Sequence, residues 1–152
     1  ADNYIRGCFI GLTFLHTCAQ LYRAVMEGIA YEYSYYMKVL RGLFPEMNFR
    51  EVSSIGGGAK SPVFGQIKAD VLGMRLSAFQ MNDTALIGSA AIAGVAAGIY
   101  DDCRQPIIQR NNKTKSFDFD MDRHEKYKKN ADRYCRALEK VSEIYKEGEI
   151  HE

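Results

Sequence analysis

Apolar positions along the first hundred residues alternate between short runs and stripes with helical spacing. Residues 6–13 form a short apolar run bounded by glycine, which predicts a buried strand. A stripe at spacings of three and four predicts a long helix over 16–43, ended by Gly42 and Pro45. The members of this stripe are Leu21, Val25, Ile29, Tyr33, Met37 and Leu40.

The same alternation continues through a glycine triplet. Residues 50–55 predict a second strand, which Gly56, Gly57 and Gly58 break abruptly. Ser61 is a suitable N-cap for a helix that runs from Pro62 to about Gly73.

A third strand is predicted over 74–80, followed by a helix of small residues over 84–98, with Asp83 or Thr84 as its cap. Three strand-helix pairs with short connections predict an α/β fold with parallel strands and crossover helices.

The last third of the chain is richer in charge. Residues 101–121 predict a loop, and apolar spacings of three and four predict a closing helix over 122–147. We expect this helix to pack one face on the sheet. The whole chain, 1–152, is interpreted as one domain with a glycine-rich α/β core over 1–100.

Composition narrows the class of protein. The 152 residues are 47% hydrophobic and 26% charged, which suits one globular domain and excludes collagenous or disordered chains. A net charge of +1 gives no general attraction to nucleic acid or anionic lipid, so we expect neither partner.

Compartment and membrane association are predicted from three features. The uncharged stretch 84–100 is shorter than the ~20 residues that a membrane span needs, so it is interpreted as a buried helix. The start of the chain lacks a signal-peptide pattern, which predicts a cytoplasmic protein. Four cysteines in no metal or redox spacing predict free thiols: Cys8, Cys18, Cys103 and Cys135.

The glycine triplet is the strongest candidate for chemistry. A strand that ends in glycines and feeds a capped helix is typical of phosphate sites, because the bare backbone and the helix N-terminus face the anion. A P-loop is excluded because Ala59 precedes Lys60, and the dinucleotide fingerprint fails because Ser61 replaces its third glycine. A tight strand-to-helix turn without a ligand is the alternative.

The acidic residues and histidines give weaker signals. Asp118, Asp120 and Asp122 have the spacing of a calcium loop, but Arg123 and Lys129 occupy positions that need glycine and glutamate. We therefore expect these aspartates to cap the closing helix.

Other polar groups in helices are interpreted as structural. Glu27 and Asp70 are expected to face solvent or to form surface pairs. The histidines show no metal spacing, and we predict no metal site: His16, His124 and His151. The tyrosine cluster is assigned to core and interface packing: Tyr31, Tyr33, Tyr35 and Tyr36.

One segment is recognisable. IGGGAKSPVFGQIKADVLG, residues 55–73, resembles the adenosine-binding segment of the FGGY carbohydrate kinases, especially their xylulokinase-like branch. Segments 6–33, 84–102 and 117–134 resemble the preceding strand and helix, the following helix and the closing helix. The likeness covers nearly all of the chain and corresponds to about the last third of a family member.

The resemblance implies a fold and an activity. The fold is part of the ribonuclease-H-like, actin-like ATPase domain. The family transfers the γ-phosphoryl group of ATP, with Mg²⁺, to a hydroxyl of a sugar such as xylulose or a related pentose or polyol. Its aspartate base lies in the half that is absent here, so no catalytic residue is assigned in this chain.

The resemblance also implies which residues bind ATP. Gly57 and Gly58 pass their backbone against the nucleotide, and Ala59, Lys60 and Ser61 line its adenosine and α-phosphate side. Phe64 flanks the adenine and stands where many relatives have tryptophan. Ile87 is an extra residue relative to the commoner pattern of the small-residue helix.

An alternative of a different class is a nucleotide-sensing or assembly module with an actin-like fold and no sugar kinase activity. We expect a homo-oligomer, because missing strands expose a sheet edge or an apolar face. Gly58→Val is expected to abolish nucleotide binding in the full-length parent and to leave the fold intact.

Overall fold

The computed structural model describes residues 6–79, 84–106 and 114–148. Four α-helices and three strands are described, with a 3₁₀ turn at Gly57–Lys60. The helices are α1 (Cys18–Leu43), α2 (Pro62–Leu72), α3 (Thr84–Ala96) and α4 (Met121–Gly148), and the strands are β1 (Glu51–Ser54), β2 (Arg75–Phe79) and β3 (Thr114–Phe117).

The chain divides into two compact units. The sheet unit comprises Phe49–Ala69 and Met74–Phe119. The helical unit comprises Ala1–Asn48, Asp70–Gly73 and Asp120–Glu152. The interpretation of residues 1–152 as one domain with a glycine-rich core over 1–100 stays a prediction.

The sheet unit contains three strands in the order β1-β2-β3. β1 and β2 are parallel, with α2 in the connection between them, as the α/β prediction requires. β2 and β3 are antiparallel. Alanine, leucine and phenylalanine side chains form its core: Ala59, Ala69, Leu76, Ala78 and Phe117, with Val52 and Phe119 against them.

Local chemistry sets the ends of α2. The Ser61 hydroxyl accepts a hydrogen bond from the backbone N–H of Phe64 at 3.3 Å, so Ser61 is the predicted N-cap. Pro62 takes the first helical position, where its missing N–H costs nothing. Gly73 ends the helix with a φ of +61°, a conformation that favours glycine.

Two expectations about strands are corrected. Residues 6–13 form no strand and are exposed, since composition predicts extended backbone but cannot supply a neighbouring strand. The predicted loop over 101–121 contains β3, which the pattern hid because TKSF has only one large apolar residue, Phe117.

The helical unit is built on contact between α1 and α4. α1 begins with a capping box, in which Thr17 and Gln20 bond each other's backbone N–H groups. The Tyr31 ring lies against the rings of Tyr127 and Tyr134, with centroids 6.1 and 5.7 Å away. These contacts confirm packing as the role of Tyr31, and they show that α4 packs against α1.

The buried side of α1 is not the predicted stripe. Val25 is 47% exposed and Ile29 40%, whereas Ala30 and Tyr31 are buried. Periodicity identifies an apolar face of a helix, but the partner decides which face is covered. The packing partner α4 contacts the neighbouring face.

Candidate functional site

The glycine turn between β1 and α2 is the candidate site. Gly56 has φ +80° and ψ −168°, a conformation that side chains rarely adopt. The backbone N–H of Ala59 then donates to the Gly56 carbonyl at 3.1 Å, within the 3₁₀ turn. The turn follows the carboxyl end of a parallel strand, which is where open α/β sheets bind ligands.

Gly57 and Gly58 present exposed backbone on this turn. A Cβ added at Gly57 meets nothing within 4 Å, and its φ is not positive. A Cβ added at Gly58 would lie 3.3 Å from the Phe64 ring, so there is less space beside Gly58 than beside Gly57. The turn itself therefore requires glycine at Gly56, whereas the open space at Gly57 suits close approach of a ligand.

The other predicted site residues have different surroundings. Ala59 is buried in the core of the sheet unit, so only its backbone is available to a ligand. Lys60 is exposed and carries a positive charge, which attracts anions. The Ser61 hydroxyl is occupied by its capping bond to Phe64. Together, these residues provide three features that attract an anion: backbone N–H groups, a positively charged side chain and the N-terminus of a helix.

A buried lysine beside the turn was missed by the sequence analysis. Lys68 is 4% exposed, and its Nζ donates to the Ser54 hydroxyl at 2.6 Å. The same Nζ lies 4.5 Å from the centroid of the Phe64 ring. Burial lowers the pKa of this ammonium group. Its spacing of four residues from Phe64 on one helix is the signal that indicates the contact.

Asp70 is buried, and the expectation that it faces solvent is wrong. Its carboxylate accepts from the backbone N–H of Asp120 at 2.9 Å and pairs with Arg123 at 3.0 Å. The first turn of α4 covers it, a contact across fifty residues of sequence that local pattern cannot reveal. Asp120 accepts from the Arg123 N–H at 2.9 Å, which confirms it as a cap of α4.

Glu27 forms the expected pair within its own helix. Arg23 Nε lies 2.8 Å from its carboxylate, and the Tyr127 hydroxyl donates to the same carboxylate at 2.9 Å. His16 is exposed and bonds Thr13, which is a local structural role.

Several remaining sequence predictions have simple outcomes. His124 contacts the Asp70 carbonyl at 2.8 Å, and His151 and Asp83 lie outside the described residues. The four cysteines are free thiols. In the described ranges, no three acidic, histidine or cysteine side chains are grouped to hold a metal ion. No helix in those ranges is long and apolar enough to cross a membrane.

Comparison with known proteins first defines the fold. The structure resembles the crystal structure of xylulose kinase from Rhodospirillum rubrum with a TM-score of 0.76 at 23% identity, covering 95% of this chain and 29% of that one. The chain therefore has part of the α/β fold of these kinases, the ribonuclease-H-like, actin-like fold.

Sequence comparison then defines the family. Residues 1–97 match the model of the FGGY family of carbohydrate kinases, C-terminal domain. The chain is 33% identical to a xylulose kinase of Staphylococcus epidermidis over 83% of its own length and 26% of that protein. It is 30% identical to an L-xylulose/3-keto-L-gulonate kinase of Escherichia coli over 86% and 26%.

This chain belongs to the FGGY family of carbohydrate kinases. It spans about a quarter of the length of these two relatives.

Proposed function

We propose that this chain is the ATP-binding C-terminal part, 1–152, of a sugar kinase that phosphorylates xylulose or a related pentose or polyol. The observation that carries the proposal is the exposed turn at Gly57 and Gly58. Gly57 has open space beside it, and its backbone conformation does not require glycine. Family membership and relatives named for xylulose phosphorylation support the substrate class.

Each predicted site residue has a distinct task in this proposal. The backbone of Gly57 and Gly58 lies against the adenosine, with Ala59 contributing only backbone. Lys60 and the N-terminus of α2, capped by Ser61, attract the α-phosphate side. When bound, ATP with Mg²⁺ supplies the phosphoryl group. None of these five side chains is a carboxylate, so deprotonation of the sugar hydroxyl falls to another part of the enzyme.

This distribution has two consequences. The chain alone binds nucleotide at most and does not phosphorylate a sugar, because sugar selection and the base belong to the rest of the kinase. We also place the enzyme in the cytoplasm, where ATP is available.

We test the turn by calorimetric titration of the full-length kinase with ATP and Mg²⁺. Gly57→Val places a side chain in the open space, so ATP binding is expected to weaken at least about tenfold, or about 1.4 kcal/mol. Gly88→Val is the matched control, because a Cβ at Gly88 in α3 also meets nothing within 4 Å.

The outcomes are separable. Weaker binding in Gly57→Val alone, with an unchanged circular dichroism spectrum, supports the site. Equal affinity in both variants and the wild type rejects the turn as the nucleotide site, and absence of ATP binding by the wild type rejects the kinase proposal.

We further propose that the chain expressed by itself self-associates. Large apolar side chains are exposed along residues 9–15 and along α1, beyond what a small monomer usually shows. Phe14 and Leu15 are the most exposed of them. Light scattering across a concentration series is expected to show oligomers, and a constant monomer mass would contradict the proposal.

A further inference from the structure

Lys68 connects the two sides of the glycine turn. Ser54 is the last residue of β1, two positions before Gly56, and Phe64 lies in the first turn of the helix that follows the glycine turn. The Lys68 ammonium group touches both, at 2.6 Å from the Ser54 hydroxyl and 4.5 Å from the Phe64 ring centroid. The Phe64 ring in turn limits the space at Gly58.

Folding alone does not favour a lysine at this position. The side chain is 4% exposed, and burying an ammonium group is costly unless it is fully paired. Its contacts among the described residues are one hydroxyl and one aromatic face, with no carboxylate within 4.0 Å. A methionine of similar length fills the same space without that cost.

We propose that Lys68 is a positioning residue for the nucleotide site, holding Ser54 and the Phe64 ring so that the backbone of Gly57 and Gly58 stays open to the ligand. This inference rests on the proposed function. The stem of Lys68 packs in the sheet unit, while its ammonium group fixes the spacing between strand end and helix start. Lys68 acts through the turn and does not itself touch the nucleotide.

The test compares nucleotide affinity with thermal stability in the full-length kinase. Lys68→Met keeps the apolar stem and removes the charge. We expect about a tenfold loss of ATP affinity and a matching rise in KM for ATP, with kcat nearly unchanged and Tm equal or higher. A purely structural lysine cannot produce weaker binding together with preserved stability.

Lys115→Met is the matched control. Lys115 also places its ammonium group over an aromatic ring, 5.6 Å from the Phe117 centroid, but it is exposed and lies on β3. It is expected to leave ATP affinity and KM unchanged.

Two results overturn the inference: unchanged ATP affinity in Lys68→Met, or a loss of ATP affinity that is accompanied by a fall in Tm. If Lys68→Met does not fold, Ser54→Ala takes its place, since it removes the acceptor and leaves Lys68 intact. Weaker ATP binding by Ser54→Ala then supports the inference, and unchanged binding rejects it. Absence of ATP binding by the wild type rejects the proposed function instead.

Discussion

The two units differ in how far their polar groups are engaged within the fold. In the helical unit, Glu27 accepts from Arg23 and Tyr127, and the buried Asp70 accepts from the start of α4, so these charges serve the packing of helices. In the sheet unit, the turn at Gly57 leaves backbone exposed, with open space in front of it. Polar pairs therefore help to hold α1 and α4 together, whereas the turn of the sheet unit is the surface proposed above for the nucleotide.

The sheet unit depends on a small core, and the largest effect is expected there. Leu76 is 1% exposed and sits in the central strand, so Leu76→Ala is expected to destabilise the sheet unit by about 3 kcal/mol. Native-state hydrogen exchange of the strand amides in the full-length protein measures this loss.

Leu86→Ala is the control for that substitution, because Leu86 in α3 is 65% exposed and is expected to change stability by less than about 0.5 kcal/mol. If the amides of α1 lose as much protection as those of β2 in Leu76→Ala, both units depend on the same core for their stability, and the comparison fails.

The helical unit is expected to be sensitive to alkaline pH. Burial raises the pKa of Tyr31, Tyr127 and Tyr134 above the ordinary value of 10.0. Protonated tyrosines therefore stabilise the folded state fully below pH 10.0, and this contribution is lost as the pH rises through their folded pKa values. Helix melting followed at increasing pH, together with tyrosinate absorbance, measures the effect.

The variant Tyr134→Phe keeps the ring beside Tyr31 and removes one ionisable group, so it is expected to reduce the alkaline loss. Lys68 in the sheet unit is expected to change stability with pH in the opposite direction. Burial lowers its pKa, so the free-energy cost of burying its charge disappears as the pH rises. An alkaline loss that is equal in the two units would contradict this difference.

The sequence predicted the parts of the molecule that local chemistry determines. The end of α1, the cap at Ser61, the glycine turn and the cap at Asp120 each depend on residues within a few positions of one another. These features include all five predicted site residues, whose binding role remains a prediction.

The failures share another cause. The buried face of α1, the burial of Asp70 and the strand β3 depend on partners far away along the chain, and residues 6–13 lack a partner strand in the described sheet. Lys68 was missed because a lysine in a helix is usually exposed, and only the folded structure reveals Ser54 beside it.

The most direct test of the central claim is the affinity of the full-length kinase for ATP, measured by calorimetry in the wild type and in Gly57→Val. The account predicts binding by the wild type and a loss of at least about tenfold in the variant, with Gly88→Val unchanged. Equal affinity in all three proteins would contradict the assignment of the open glycine turn as the nucleotide site.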